Sequence, residues 1–349
     1  MGVKVSYDEV KATVKKAFLN VGLTEEQAET CAAIHTQSSA DGVESHGLNR
    51  IPRFVEYVQK GWINLDGKPE LVKAAGAVEN YDGNLGIGVT NAIFCADRAM
   101  ELAKEHGIGC VALKNTTHWM RGGTYAWRMA QAGFMGMSWI NTESCMPLWG
   151  SDEPSVGNNP FCMAIPREDG EIVLDMAMSQ YAYGKLGVYR LAGKELPFPG
   201  GFDKEGNLTS DPGAIEESKR ILPTGYWKGS SMAIVLDMAA ALLANGKCGT
   251  DMDNANQGSC TGCCQIFIAI NPYLFSDKAE GQAMLNKRVA AADAAHPEKE
   301  GRPVKCPGES TVERRKKSMA EGVNIDEAIW TQVQAIAAGD LNTKDIASK

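Results

Sequence analysis

Short apolar segments alternate with amphipathic ones between residues 69 and 175, and this alternation restricts the folds that the chain can adopt. Residues 109–113 and 134–140 are apolar runs with the length of buried strands, whereas residues 90–106 and 124–132 have helical periodicity. Strands and helices that follow one another in this order predict a central sheet covered by helices.

Both ends of the chain are predicted to be helical. Residues 7–19 carry apolar side chains at helical spacing, Thr24 with Gln27 forms a capping box, and a third helix covers about 48–61. The last amphipathic helix is expected at 326–338. Because the first helices are too few to bury a core alone, we expect them to pack against the C-terminal ones.

The predicted fold class is therefore α+β with two domains. Residues 1–75 and 240–349 are assigned to a discontinuous helical domain built from both chain ends. Residues 76–239 are assigned to a mixed-sheet α/β domain, in which the candidate cofactor and substrate residues given below are expected to gather. Within it, the polar segment 199–224, rich in Gly, Pro and Asp, is predicted to be a long surface loop.

Charge and cysteine content restrict the partners. With 35 Lys and Arg against 43 Asp and Glu, the formal charge of −8 argues against nucleic acid or an anionic membrane as a partner. The first residues carry no apolar signal region, and no apolar run is expected to span a bilayer. Most of the ten cysteines lie in apolar runs, so we expect a cytoplasmic protein with free thiols.

The segment around Ser45 and His46 carries the first candidate chemistry. Histidine can exchange a proton near neutral pH, and Arg50 and Arg53 follow at helical spacing with guanidinium groups that can hold a carboxylate. A proton donor beside an anion clamp suits the reduction of an acidic keto compound. The alternative is a helix-cap histidine followed by two surface arginines.

A second candidate follows the predicted strand 109–113. His118 and Arg121 stand in a strand-to-helix turn with two glycines, at a position where ligands gather in α/β proteins. The alternative is a tight turn in which Trp119 and Met120 fill the core, which leaves His118 and Arg121 unexplained.

Four further residues stand at the ends of predicted elements. Asn141 and Asn159 carry amides that suit recognition of a ribose, although each taken singly is better explained as an ordinary turn residue. Asp175 ends an apolar strand and either orients an imidazole or caps a helix. Lys228, at a helix start between glycines, either contacts phosphate or belongs to a simple entry turn.

Two other motifs have weak functional interpretations. Residues 83–88 follow a strand and precede a helix, but their order Gly-x-x-Gly-x-Gly departs from the dinucleotide fingerprint. Cys260, Cys263 and Cys264, with Cys248, make half a metal site without a neighbouring histidine, so we expect no metal there.

Several motifs together resemble the malate/L-lactate dehydrogenase family of the second type, which is unrelated to the familiar lactate dehydrogenases. These are Ser-His-Gly-x-x-Arg-x-x-Arg at 45–53, Asn-x-x-His at 115–118, Gly-x-Asn-Pro at 157–160, Asp-Met-Ala at 175–177 and Pro-Gly-Glu at 307–309. The resemblance covers about residues 3–340. Narrower matches at 118–123, 190–193, 200–203 and 221–229 resemble the branch that reduces 2,3-diketo-L-gulonate.

The resemblance implies a homodimer that binds NAD(H) or NADP(H) in a fold unlike the Rossmann one. His46 is then expected to donate the proton, with His118 as the alternative. The nucleotide-binding stretches of the family correspond here to Glu171, Ile172, Val173, Leu174, Asp175, Met176, Ala177, Trp227, Lys228, Gly308, Glu309 and Ser310. Ser310 replaces a larger or charged residue, which leaves NADH or NADPH open, and the cysteine-rich segment 248–264 is not a family feature.

The expected reaction is hydride transfer to the C2 ketone of 2,3-diketo-L-gulonate, which gives 3-dehydro-L-gulonate. The residues expected at the substrate are Ser45, Arg50 and Arg121, and Asp175 is expected to position an imidazole. The alternatives are reduction of another 2-keto acid such as pyruvate or oxaloacetate, a metal-binding or redox-sensing protein built on the cysteines, and a non-catalytic scaffold.

Overall fold

A seven-stranded mixed sheet forms the centre of the protein. The structure, a computed structural model, describes residues 2–342. The described strands are β1 (Gly2–Val5), β2 (Glu70–Ala75), β3 (Val78–Asp82), β4 (Ile108–Thr116), β5 (Met135–Ile140), β6 (Met146–Pro147), β7 (Pro154–Val156), β8 (Phe161–Ile165), β9 (Ile172–Met176), β10 (Gly201–Phe202), β11 (Leu208–Thr209), β12 (Cys263–Ile270) and β13 (Val323–Asp326).

Helices cover this sheet on both faces and at its ends. The described helices are α1 (Tyr7–Val21), α2 (Glu25–Ala40), α3 (Ile51–Gln59), α4 (Gly88–His106), α5 (Gly123–Gln131), α6 (Tyr183–Leu191), α7 (Pro212–Ser218), α8 (Trp227–Ala244), α9 (Gly249–Ala255), α10 (Lys278–Asp293), α11 (Glu309–Glu321) and α12 (Glu327–Ala337).

The central sheet has the strand order β2-β3-β4-β12-β5-β8-β9. The β3–β4 pair is parallel, and the other neighbouring pairs are antiparallel. The middle strands carry side chains that are fully buried, such as Leu113 and Phe267, because helices cover both of their faces. The predicted alternation of strands and helices over 69–175 is confirmed, with bounds that differ by at most three residues.

Helices from both chain ends share one hydrophobic core. Val14 and Phe18 of α1 pack in the same cluster as Val333 of α12. Strand β1 pairs with β13, so the two ends also join through backbone hydrogen bonds. The predicted capping box of α2 is present, because Thr24 accepts from Gln27 N and the Gln27 side chain accepts from Thr24 N.

The predicted boundaries do not follow the sheet. Strand β12 falls inside the segment 240–349 that was assigned to the helical domain, yet it lies between β4 and β5. Strand β2 falls inside 1–75 and forms one edge of the same sheet. Residues 1 and 343–349 of the predicted helical segments lie outside the described residues. The division into two domains stays a prediction.

The segment 199–224 is more ordered than the predicted surface loop. It contains the hairpin β10–β11 and the helix α7. Ile215 and Ile221 from this segment are fully buried. These elements are short and their sequence is mostly polar, so no hydrophobic periodicity predicts them.

Helix α8 bears on the expectation that no apolar run spans a bilayer. Among the described residues it is one helix with the length and apolar composition of such a span, and 39% of it is buried inside the protein. One side packs on the sheet through Ala233 and Ala240, while Leu242 on the other is 81% exposed. A helix on a sheet meets the same criteria as a membrane span, so composition alone is weak grounds for a membrane.

The glycine-rich segment 83–88 serves packing. A Cβ at Gly88 would lie 2.2 Å from the carbonyl oxygen of Thr117, and one at Gly86 would lie 2.2 Å from that of Gly67. These glycines let the start of α4 approach the backbone that leads to His118. The glycine order in 83–88, which departs from the dinucleotide fingerprint, agrees with a role in close backbone packing.

Four charged side chains join the helical layer to the sheet. Asp41, buried at the C-terminal end of α2, accepts from Arg121 Nη1 at 2.6 Å and from Arg315 Nε of α11 at 2.8 Å. Arg121 Nε donates to Asp175 of β9 at 2.7 Å. We call Asp41, Arg121, Asp175 and Arg315 the charge bridge. A buried carboxylate keeps its charge only with such partners.

Replacing Asp41 with Asn tests the charge bridge. We expect D41N to lower the free energy of unfolding by roughly 3–5 kcal/mol, because it leaves two guanidinium groups beside a neutral side chain. Urea unfolding measures this loss. The matched control is D97N, which breaks the exposed Arg128 pair and should cost less than about 1 kcal/mol. Equal losses for the two variants would contradict the assignment.

Candidate active site

Two histidines that are distant in sequence stack against each other. His46 ends a 3₁₀ turn, Glu44–His46, and His118 follows β4 in the turn before α5. Their ring centroids lie 5.6 Å apart with an interplanar angle of 27°. The fold thus brings together the two residues that were predicted as alternative proton donors.

The turn that carries His46 is held by short contacts. Ser45 Oγ lies 2.9 Å from His46 Nδ1, and Arg50 Nε donates to the carbonyl oxygen of Ser45 at 2.9 Å. A Cβ at Gly47 would lie 2.1 Å from Ser39 Oγ, and one at Gly184 would lie 2.6 Å from Ser45 Cβ. Both glycines are therefore needed for the turn to sit between α2 and α6.

The ring of His118 has a fixed tautomer. The backbone N–H of Met120 donates to His118 Nδ1 at 2.9 Å. Nδ1 is then the acceptor, so the neutral ring carries its proton on Nε2. Met120 adopts a φ of +66°, which turns its N–H back toward the ring. The His118 ring therefore presents an N–H donor at Nε2.

Both imidazoles are neutral at pH 7. The pKa of His46 is lowered to about 3, mainly by burial and next by Arg50, whereas Asp175 acts to raise it. Burial also lowers the pKa of His118 well below its usual value, with Arg50 and His46 as the next causes. An anion bound at Arg50 would offset the cation that disfavours an imidazolium at this site.

An inner pocket opens beside His118. Its space measures about 340 Å³, including open solvent at its mouth, and its lining residues are Arg50, Arg53, Phe54, Tyr57, Ile63, Thr117, His118, Met120 and Ser259. Two guanidinium groups and an imidazole on an otherwise largely apolar wall suit a small carboxylate that carries a reducible carbonyl.

Arg121 and Asp175 belong to the charge bridge. Arg121 donates through Nη1 to Asp41 and through Nε to Asp175, and its side chain is 8% exposed. Asp175 also accepts from Cys162 Sγ at 3.2 Å. Its effect on His46 is electrostatic, since its charge raises the pKa of that imidazole. Ser45 supplies the hydrogen-bond partner of the ring instead.

Asn141 and Asn159 are engaged inside the protein. Asn141 Nδ2 donates to Asp237 Oδ1 at 2.8 Å, and its Oδ1 accepts from Cys264 N at 2.7 Å. Asn159 Oδ1 accepts from Thr142 N, and its Nδ2 donates to the carbonyl oxygen of Ala233. These are the atoms with which an amide would read a ribose, so we leave both residues out of the cofactor site.

The other predicted cofactor stretches adjoin one another along the edge strand β9. Val173 N donates to the carbonyl oxygen of Pro307, and Gly308 adopts a φ of +100° at the start of α11. A Cβ at Gly308 would lie 3.2 Å from Val173 N. A glycine turn before a helix N-terminus suits a phosphate group.

We call the predicted cofactor residues along β9 and the start of α11 the strip, and this strip continues to the start of α8. Thr224 N donates to the carbonyl oxygen of Met178, which joins the end of β9 to the turn before Trp227. Trp227 is 56% exposed, and the buried hydroxyl of Ser179 has no protein partner among the described residues. An exposed aromatic face and an unpaired hydroxyl beside the strip fit an adenine and a polar cofactor group.

Sequence reasoning missed four residues of this region. Asp41 and Arg315 lacked any local motif, since only the tertiary fold brings them to Arg121. Tyr57 follows Arg53 by four residues, so helical spacing places both on one face and could have indicated it. Ser259 lies in the cysteine-rich segment 248–264, where no sequence motif singled it out.

The cysteines form no metal site within residues 2–342, where no group of three or more potential ligands clusters. All ten are free thiols. Burial raises the pKa of Cys260 and Cys263 well above the usual value, so both remain protonated and unreactive.

Sequence comparisons identify relatives along the whole chain. The model of the malate/L-lactate dehydrogenase family matches residues 5–334. The 2,3-diketo-L-gulonate reductase of Klebsiella pneumoniae strain 342 is 42% identical over 334 residues, which are 96% of this chain and 100% of the relative. Its counterpart from Escherichia coli K12 is 41% identical with the same coverage.

Solved structures share the fold. Sulfolactate dehydrogenase from Methanocaldococcus jannaschii matches with a TM-score of 0.88 and 28% identity over 98% of both chains. Malate dehydrogenase from Entamoeba histolytica matches with a TM-score of 0.91 over 99% of both chains, and at 23% identity it bears on the fold alone. The predicted resemblance and the predicted oxidoreductase class are confirmed, and the chain belongs to the malate/L-lactate dehydrogenase family.

Proposed function

We propose that this enzyme reduces the C2 ketone of 2,3-diketo-L-gulonate to the alcohol of 3-dehydro-L-gulonate, with NADH or NADPH as the reductant. The observation that carries the proposal is the stacked histidine pair beside an inner pocket lined by Arg50 and Arg53. Relatives that bear the name of this reductase support the choice of substrate. Reduction of another 2-keto acid is the alternative.

Arg50 holds the substrate carboxylate and so fixes the direction in which the ketone faces. Arg121 has a different part, because two of its nitrogens bind Asp41 and Asp175. It keeps the Asp175 carboxylate in place, and Ser45 orients His46 through the ring nitrogen Nδ1.

His46 donates the proton to the developing alkoxide. When the substrate anion offsets the charge of Arg50, His46 can take up a proton from solvent, and the Ser45 hydroxyl accepts the resulting Nδ1–H. The imidazolium then gives its Nε2 proton to the alkoxide and returns to the neutral ring. His118 lacks this freedom, because the Met120 N–H occupies its Nδ1. Loss of the Nε2 proton would leave His118 as an anion. His118 therefore serves as a hydrogen-bond donor to the carbonyl oxygen, and the proton comes from His46.

The strip along β9 and the starts of α11 and α8 holds the cofactor. Its residues are Glu171, Ile172, Val173, Leu174, Asp175, Met176, Ala177, Trp227, Lys228, Gly308, Glu309 and Ser310. The bound nicotinamide supplies the hydride, while the protein holds the phosphates at the N-terminus of α11. Initial rates with NADH and with NADPH measure which of the two cofactors this strip prefers.

The enzyme works as a homodimer through the outer face of α8. Val235, Met238 and Leu242 are 58%, 61% and 81% exposed, and their spacing places them on one side of the helix. The exposed strand β2 continues this surface, because Asn80 of β3 donates to the carbonyl oxygen of Leu243. An apolar surface of this kind suits a second copy of the chain. The ten free thiols suit a cytoplasmic enzyme.

Replacing His46 tests the proton donor. We expect H46A to lower kcat for 2,3-diketo-L-gulonate by about 10²–10⁴-fold, because general acid catalysis contributes that much. H118A should raise KM as well as lower kcat, since it removes a contact to the ground-state carbonyl. Nicotinamide absorbance measures the rates of both variants. Pyruvate and oxaloacetate are assayed as the alternative substrates, and circular dichroism is the folding control. Near-normal turnover of folded H46A would refute the assignment.

The neutral state of His46 predicts a pH dependence of stability. Its pKa is lower in the folded than in the unfolded protein, so the unfolded state binds more protons below pH 6.5. The contribution of the neutral His46 to the free energy of unfolding is fully present above pH 6.5 and declines as the pH falls toward about 3.

We expect H46Q to reduce the loss of unfolding free energy between pH 6.5 and 4.5 by about 1–2 kcal/mol, measured in urea. The exposed His106 offers the matched control, H106Q. If H46Q and the parent protein lose the same stability over that range, the imidazole is not held neutral by burial.

Leu242 offers a test of the dimer. We expect L242E to convert the protein to monomers in sedimentation velocity, because it places a charge in the apolar contact. M319E, at a 55% exposed apolar residue of α11, is the control and should stay dimeric. A dimer that survives L242E and the double variant M238E/L242E would place the contact elsewhere.

A further inference from the structure

A second, wider space adjoins the inner pocket. This outer basin encloses about 1200 Å³, including solvent at its mouth, and is lined mainly by polar side chains. It shares Arg53, Tyr57 and Ser259 with the inner pocket. A ligand that extends beyond the inner pocket therefore passes these three residues.

Tyr57 and Ser259 carry hydroxyl groups at this boundary. Tyr57 Oη accepts from Ser259 N at 2.7 Å, and its own O–H remains a donor. Burial raises the pKa of Tyr57, so the phenol keeps its proton at neutral pH. The Tyr57 ring is set by an edge contact with Trp62 at 5.1 Å.

The loop that carries Ser259 is shaped to meet Tyr57. Gly258 has a φ of +72°, and a Cβ there would lie 2.1 Å from Tyr57 Oη. Cys260 N donates to Glu143 Oε2 at 2.8 Å, which anchors the other side of Ser259. The loop is thus fixed at both neighbours of Ser259.

The charges of the outer basin disfavour a second acidic group on the ligand. Glu143 and Asp253 line it, and their carboxylates accept from Cys260 N and Ser144 N. The lining cations are Arg53, at the boundary with the inner pocket, and Lys60, which is paired with the third lining carboxylate, Glu56. A neutral chain with hydroxyl groups can pass these walls at lower electrostatic cost than a second carboxylate or a phosphate.

We propose that Tyr57 and Ser259 form a neck that reads the hydroxyl groups of a polyhydroxylated keto acid whose tail extends into the outer basin. The inner pocket takes the keto-acid end, and the neck selects a sugar-acid chain over a three-carbon keto acid. This inference rests on the proposed function and adds the residues that determine its specificity.

The test compares kcat/KM for 2,3-diketo-L-gulonate with kcat/KM for pyruvate in S259A and Y57F. We expect the ratio of the two values to fall by about 3- to 10-fold in each variant, which is the effect of one lost hydrogen bond. S276A is the matched control, because Ser276 follows the opposite end of β12. Its ratio should equal that of the parent enzyme.

Calorimetry supplies a readout that is independent of turnover. We expect S259A to weaken binding of L-gulonate 3- to 10-fold and to leave the affinity for L-lactate within twofold. The proposed neck would be refuted if S259A and Y57F kept the selectivity ratio of the parent enzyme, or if the parent enzyme preferred pyruvate. A parent enzyme that reduces no keto acid would refute the proposed function, and the calorimetric comparison would still decide whether the neck exists.

Discussion

The charge bridge is the constraint on which the rest of the active site depends. Its two carboxylates and two guanidinium groups come from the end of α2, the turn before α5, strand β9 and helix α11. The turn that carries His46 begins a few residues after Asp41, and the turn that carries His118 also carries Arg121. One set of ion pairs thus aligns both histidine turns with the edge of the sheet.

This arrangement also sets the protonation state of the imidazoles. The guanidinium of Arg121 lies against two carboxylates, whereas burial and the nearby Arg50 keep the histidine rings neutral. Asp175 serves both settings, since it binds Arg121 and favours a proton on His46. In the proposed mechanism, an anionic substrate at Arg50 would offset a cation that opposes protonation of His46, which would couple substrate binding to proton uptake.

Much of the fold was predictable because it follows local patterns. The apolar runs of β4, β5 and β12 and the stripes of α1 and α4 carry their own periodicity. The segment 199–224 was missed because its strands have two residues each and its helix has seven. The place of β12 was also missed, since strand order depends on contacts between distant segments and has no local signal.

The sequence by itself determined the chemistry that the site can offer: two histidines in glycine-containing turns, arginines at helical spacing and a glycine before α11, which together indicated the family. Only the tertiary structure decided how these groups divide the work. It stacked His46 on His118, engaged Arg121 with Asp41, buried Asn141 and Asn159, and brought Ser259 to Tyr57. The physical reason is that proton state and hydrogen-bond partner depend on burial and on neighbours that are distant in sequence.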